Sequence, residues 1–229
     1  MKRTLQIRRT VLTLATLAGF SAVLFLHPDL QQPISSGSSE VASGEAADVL
    51  ETLAVKGRAP KTNYSRDQFG DGWRESGGCD MRNIILNRDL SDAVVNDKCQ
   101  VTKGLLHDPY TGKDIAFNRG PDTSDDVQID HVVALSDAWQ KGAQQLSTAE
   151  RENLANDPLE LLAVDGPANQ QKSDGDAATW LPQNKPFRCQ YVARQIAVKK
   201  KYRLWVTTAE KDAIKRVLVA CPGQKLPAK

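Results

Sequence analysis

VQIDHVVALSDAW, residues 127–139, sets Asp130 and His131 side by side at the end of an apolar run. PLELLAVDGPANQQKSD, residues 158–174, follows with a second short apolar run, a Gly-Pro turn, and then Asn169 and Lys172. The two runs predict strands over 127–135 and 159–164, and Asp165-Gly166-Pro167 turns the chain into a helix over 168–172. A hairpin carrying Asp-His on one strand, with Asn on the helix after it, suits metal-assisted hydrolysis of a phosphodiester. Carboxylate and amide oxygens are hard ligands for Mg²⁺, which keeps several waters and takes phosphate oxygens into its shell. The neighbouring imidazole can deprotonate water. The Asp-His dipeptide alone is weak evidence, because such pairs are common and often structural; the order and spacing of the elements give it weight. Two protein ligands would leave the metal open, which argues for catalysis over a structural role.

Around this centre the chain predicts an α+β fold of short antiparallel strands with inserted and appended helices. Segments 99–106 and 114–117 flank Asp108-Pro109-Tyr110-Thr111-Gly112, a strong turn cluster, and so read as a hairpin. Helices are predicted over 136–142, 147–156, 188–202 and 208–220. Two of them open with capping boxes, Ser147-Thr148-Ala149-Glu150 and Thr207-Thr208-Ala209-Glu210. There is no internal repeat.

The 229 residues carry a net charge of only +2, so bulk charge selects no partner. Its distribution is more telling. Residues 183–229 hold 12 Lys or Arg against Glu210 and Asp212, while 120–160 is rich in Asp and Glu. A basic C-terminal face beside an acidic centre suits a polyanion, and equally suits solvated helix surfaces.

Lys2, Arg3, Arg8 and Arg9 precede an uncharged apolar stretch at 11–26, shorter than the roughly 20 residues that span a bilayer. Residues 1–26 therefore read as a signal peptide, or as an uncleaved signal anchor, since His27-Pro28-Asp29 offers no Ala-x-Ala site. The protein is expected outside the cell or held at the outer face of the cytoplasmic membrane, with membrane contact only through that segment. Residues 27–62, including SSGSSEVASGEA, read as a flexible linker with a possible short helix at 48–55. The domain is placed at 63–222 and a tail at 223–229. Cys79, Cys99, Cys189 and Cys221 contain no Cys-x-x-Cys pair. In an exported chain they read as disulfides, paired Cys79–Cys99 and Cys189–Cys221 because each pair brackets one compact segment.

Several longer stretches, in order, resemble one known group: YSRDQFG (64–70), GGCDMRN (77–83), DPYTG (108–112), QIDHVVALSDAW (128–139), LLAVDGPANQQKSDGDAATWLP (161–182) and YVARQIAVKKKY (191–202). The chain resembles the HNH (ββα-metal) endonucleases, and more closely the secreted bacterial branch related to the nuclease domain of GmrSD-type restriction enzymes. The resemblance covers roughly 62–222. It implies an HNH endonuclease core with His131 as general base, Asp130 and Asn169 as metal ligands, and Mg²⁺ (alternatively Mn²⁺) as cofactor. Where such proteins carry a middle Asn, this chain has Glu160. A carboxylate only accepts hydrogen bonds. Glu160 is therefore either a catalytic-site residue, orienting the imidazole or joining the metal shell, or an exposed strand residue.

Lys172 and Arg82 are candidate phosphate contacts; their alternatives are solvated surface and a salt bridge to Asp80 or Asp89. Lys199 and Lys200, with Lys201 and Arg203, are candidates for a nucleic-acid path. Trp139 and Trp180 read as core aromatics, and Asp122, Asp125 and Asp126 as solvated. The expected function is a metal-dependent endonuclease on nucleic acid, DNA rather than RNA. Low sequence specificity is expected because no recognition module is evident. The alternatives are a non-catalytic exported binding module that kept the hairpin, which Glu160 would favour, and a hydrolase of another phosphodiester.

Overall fold

The computed structural model describes residues 41–227. The expected leader at 1–26, and the linker as far as 40, lie outside the described residues. Among the described residues no helix is long and apolar enough to cross a membrane.

Order begins earlier than the composition suggests. Helix α1 spans Glu45–Thr52, inside the predicted linker. Ala46 and Leu50 are fully buried and Ala47 nearly so. These apolar positions share one helical face, and their small side chains let α1 approach its neighbours closely. The strand-like segment after it bridges Val55 to Val206 in parallel, and Ala59 N–H donates to Gln140 O at 2.9 Å. The linker therefore cannot extend to residue 62. The expected tail is also partly packed: Gly223 N–H donates to Ser43 O at 3.1 Å, and Leu226 rests on the core.

A 3₁₀ turn at Arg66–Phe69 leads to the two-residue strands β1 (Glu75–Ser76) and β2 (Cys79–Asp80). Helix α2, Met81–Asp89, follows; Asp80 caps it by accepting from Asn83 N–H at 2.8 Å. Strands β3 (Leu90–Val95), β4 (Val101–His107) and β5 (Asp114–Asn118) form an antiparallel sheet in sequential order. Strands β6 (Val127–His131) and β7 (Leu161–Asp165) form a separate hairpin, and helix α5 (Gly166–Lys172) succeeds it directly. Between β6 and β7 lie α3 (Leu135–Gln140) and α4 (Thr148–Ala155); α6 (Arg188–Lys201) and α7 (Thr208–Val219) complete the chain. Both expected capping boxes are formed, at Ser147/Glu150 and Thr207/Glu210. The result is the mixed α+β architecture with small antiparallel sheets that the patterning predicts.

The β6–β7 hairpin separates two cores. Successive strand residues face opposite sides. Val127, Ile129, Leu161 and Ala163 pack with α2 residues Ile85 and Leu86 on one side, while Leu162 and Val164 join the larger core on the other. Their cross-strand partners Gln128 and Asp130 share that second side, beneath α5. Disulfides join Cys79 to Cys99 and Cys189 to Cys221, with Cα atoms 5.3 and 6.1 Å apart.

Candidate active site

The alternation that builds the hairpin sends adjacent residues in different directions. Asp130 pairs across the strands with Leu162, and His131 with Leu161. Both still border one cleft of about 620 Å³, because β6 ends there. Asn169 reaches the same cleft from α5, placed by a short turn whose chemistry is local. Asp165 caps α5, accepting from Ala168 N–H at 2.7 Å. Gly166 is obligatory, since a Cβ there would lie 2.1 Å from Asp125 O. Pro167 presets the first turn.

Asp130 is almost wholly buried, and each of its carboxylate oxygens accepts one side-chain hydrogen bond. Lys172 Nζ donates to its Oδ1 at 2.9 Å and to His131 O at 2.8 Å. Tyr110 OH donates to its Oδ2. Burial pushes the Asp130 carboxyl up, while the Lys172 ammonium and the Tyr110 hydroxyl pull against that rise. Burial, followed by the Asp130 charge, raises the Tyr110 phenol well above its usual range, so it remains a donor. Lys172 is therefore an internal cation, 2% exposed, and not a surface phosphate contact.

His131 is buried against Trp73, whose ring lies parallel to it, tilted by 5° with centroids 5.8 Å apart. Its Nε2 lies 3.0 Å from Ala155 O. A carbonyl oxygen only accepts, so Nε2 carries the hydrogen and Nδ1 of the neutral ring keeps its lone pair free. Burial, then the Arg66 charge, pushes the imidazole down to about 3, and it stays neutral at ordinary pH. Both the orientation and the tautomer of the ring come from the α4 backbone.

Glu160 takes neither position expected of it. It is fully buried, is not among the residues lining the cleft, and makes no side-chain hydrogen bond with the imidazole or with Asn169. Its carboxyl accepts from Val133 N–H at 3.2 and 3.3 Å, and its carbonyl accepts from Val132 N–H at 2.9 Å. It pins the loop that leaves β6 to the start of β7. Burial raises its carboxyl well above the usual range, against the pull of the Val133 amide. In the protonated form it regains a donor, the property an amide would have had.

Asn169 Nδ2 donates to Gln128 Oε1 at 2.9 Å, and Asn169 Oδ1 accepts no hydrogen bond from the described residues. Among the described residues there is no group of three or more His, Cys, Asp or Glu able to hold a metal ion. The available donor set is thus one carboxylate and one free amide oxygen, both hard, on the wall of an open cleft. That set fits a hard, largely hydrated cation and does not fit a closed, all-protein cage.

Arg82 lines the cleft and ties the segment before β6, donating from Nη2 to Ser124 O and Val127 O at 3.2 and 3.3 Å. It bridges neither Asp80 nor Asp89. Asp125 is exposed, as expected, and lines the same cleft. Of the four residues expected along a C-terminal path, burial removes Lys199. Lys199 is fully buried and pairs with Glu210 at 2.9 Å and Asp137 at 3.4 Å. Lys200 is exposed but donates to Thr52 Oγ1 at 3.1 Å, Lys201 pairs with Asp157 at 2.6 Å, and Arg203 pairs with Glu150. None of the four lines the cleft. Three contributors went unread in the sequence. Tyr110 was hidden inside a turn motif and Trp73 in an unassigned loop, while Arg66 sits in the quoted stretch YSRDQFG without a role.

The family model for GmrSD restriction endonucleases, C-terminal domain, matches residues 80–217, and the chain belongs to this family. It is also 35% identical over 207 residues to an "Uncharacterized secreted protein" of Arthroderma benhamiae (strain ATCC MYA-4681 / CBS 112371), covering 90% of this chain and 98% of that one. No solved structure matches.

Proposed function

We propose that the protein is an exported, metal-dependent HNH endonuclease that hydrolyses phosphodiester bonds of nucleic acid with low sequence specificity. His131 Nδ1 is its general base. The observation that carries this reading is the state of that imidazole: neutral, with Nε2–H committed to Ala155 O, on a cleft shared with Asp130 and Asn169. The water oxygen bonds to phosphorus, its proton passes to Nδ1, and the bond to the leaving sugar oxygen breaks, that oxygen taking a proton from solvent. Asp130 Oδ1 and Oδ2 and Asn169 Oδ1 are the groups that would hold Mg²⁺ or Mn²⁺, which when bound neutralises charge developing on the phosphate. Lys172 and Tyr110 fix the Asp130 carboxylate, and Glu160 fixes the loop beyond His131; these are positioning residues. The description of the family as restriction endonucleases favours DNA over RNA. Export is supported by the charged and apolar N-terminal sequence, the two disulfides and the printed name of the relative.

Plasmid nicking with Mg²⁺, with EDTA, and by His131→Ala tests this. Loss of a general base costs ~10²–10⁴-fold in rate. The expected result is cleavage by the parent with Mg²⁺, none with EDTA, and a loss in that range for the variant, assayed well below its own melting temperature. Cleavage in EDTA would remove the metal, and a variant within a few-fold of the parent would remove His131. A parent that binds oligonucleotide but never cuts it would favour the non-catalytic module.

A further inference from the structure

Three cationic side chains line the cleft: Lys61, Arg66 and Arg82. Lys61 is engaged, 3.3 Å from Asp174 and 5.1 Å above the Tyr64 ring. Arg82 is half-buried and bonded to two backbone carbonyls. Arg66 makes no hydrogen bond or ion pair with any described residue. It is also one of four residues, with Trp73, His131 and Leu135, that border both the main cleft and a smaller recess of about 140 Å³. That second recess contains Ala155, the partner of His131. Arg66 therefore stands beside the base at the junction of the two cavities.

The backbone beneath it is held firmly. In the 3₁₀ turn Arg66–Phe69, Phe69 is buried, edge-on to Trp139 with centroids 6.3 Å apart and to Tyr64 at 6.4 Å. Arg151 donates to Gln68 O at 2.7 Å and to Gln68 Oε1 at 3.2 Å. A fixed mount with an unpaired guanidinium at its tip contributes nothing to the fold that its partners do not already provide. It does set an unpaired cation beside the His131 ring, on the wall that the two cavities share. A guanidinium offers two parallel N–H donors, which match two non-bridging phosphate oxygens.

We propose that Arg66 binds the phosphate of the phosphodiester on which His131 acts, a role that rests on the nuclease reading above. Two of its N–H groups grip the non-bridging oxygens, hold phosphorus in line with the water at Nδ1, and take up the negative charge that builds on those oxygens as the bond to water forms.

The test compares parent, Arg66→Ala and Arg66→Lys in plasmid nicking with Mg²⁺, and in duplex oligonucleotide binding in Ca²⁺ at three salt concentrations. Loss of one preorganised donor to a developing oxyanion costs ~10²–10³-fold in kcat. Arg66→Ala should lose that much, with affinity also reduced and the log–log salt slope flatter by about 0.9, one phosphate contact on duplex DNA. Arg66→Lys should recover the salt slope and only part of kcat, since it restores the charge without the fork. The melting temperature should not move, because the side chain is exposed and unpaired. If the parent cuts and Arg66→Ala cuts within three-fold of it, the assignment of Arg66 is overturned while the nuclease reading stands. If the parent binds without cutting, the nuclease reading falls, and equal affinity and salt slope in Arg66→Ala would overturn the phosphate contact as well. A parent that neither cuts nor binds overturns both.

Discussion

Lys172 is the residue whose removal separates an internal charge pair from a surface contact. Its ammonium is 2% exposed and Asp130 is 5% exposed, with 2.9 Å between Nζ and Oδ1. Lys172→Met keeps most of the aliphatic volume and deletes the charge. It leaves Asp130 buried with only Tyr110 to satisfy it, and it frees His131 O from its 2.8 Å bond at the end of β6. Breaking a buried pair by removing one partner costs ~3–5 kcal/mol, because the remaining charge is uncompensated. For a domain of this size 1 kcal/mol is worth ~2–4 °C, so the melting temperature should fall by roughly 6–20 °C. The double variant Asp130→Asn, Lys172→Met removes the stranded charge and should melt well above Lys172→Met alone, a coupling of the kind neighbouring residues show. Calorimetric melts of the parent, both single variants and the double variant, all in EDTA, measure the cycle free of metal. A Lys172→Met melting point within ~2 °C of the parent, or additive single losses, would refute the internal pair. Lys172 would then be the peripheral phosphate contact that its place one turn past Asn169 suggests.

Glu160→Gln should be stabilising, and increasingly so as pH rises. The folded protein raises the Glu160 carboxyl, so its stabilising contribution is complete below the unfolded value near 4.5 and is lost as pH climbs through the higher folded value. The glutamine keeps the shape without the titration, so the melting-temperature gap between variant and parent should widen from pH 5 upward; a gap constant with pH would contradict the protonated carboxyl. Lys199→Met should be destabilising by at most about 3–5 kcal/mol, since it removes one buried cation while Lys141 still pairs with Glu210 and Asp137. Oligonucleotide affinity and its salt slope should match the parent, and a flatter slope in a stably folded variant would return Lys199 to the nucleic-acid path.

What the sequence made legible was local. The hairpin, the Asp-Gly-Pro turn into α5 and both capping boxes follow from short-range patterning, and each is formed. The disulfides followed because each pair brackets a compact segment. The short helix expected at 48–55 overlaps α1, which begins three residues earlier; its packing is not legible because a Ser-, Gly- and Ala-rich stretch looks like a spacer, while alanines packed against α6 can bury without any large apolar residue. Helix α2 was missed since MRNIILNRD has only a weak apolar stripe, and its start depends on a cap from Asp80. Long-range relations were not legible. Tyr110 and Asp130 are 20 residues apart, and the turn holding Tyr110 is tied to the end of β7 by Asp108, which accepts from Asp165 N–H at 2.9 Å. No spacing rule encodes that. Glu160 was misplaced for a related reason: a carboxyl in a strand is expected at the surface unless a partner is known, and its partner is a backbone amide in the loop beyond β6.

The charge asymmetry shows most clearly how composition misleads without geometry. Among the described basic residues of 183–227 only Lys199 is buried, and it joins a charge network drawn mostly from elsewhere in the chain. Lys141 and Lys199, both fully buried, and the half-exposed Arg58 meet Asp137, Asp176 and Glu210, three cations against three anions. This cluster fastens α3, α6, α7 and the segment after α5 to the strand-like run behind α1. Its members sit on the elements that frame the site, since α3 follows the loop from His131 and Asp176 lies four residues past Lys172. Charges so closely balanced present little field to a ligand. On the cleft wall, by contrast, Arg66 has no carboxylate partner among the described residues. The acidic residues of 120–160 divide too, with Asp137 inside the network and Asp125 exposed on the cleft wall.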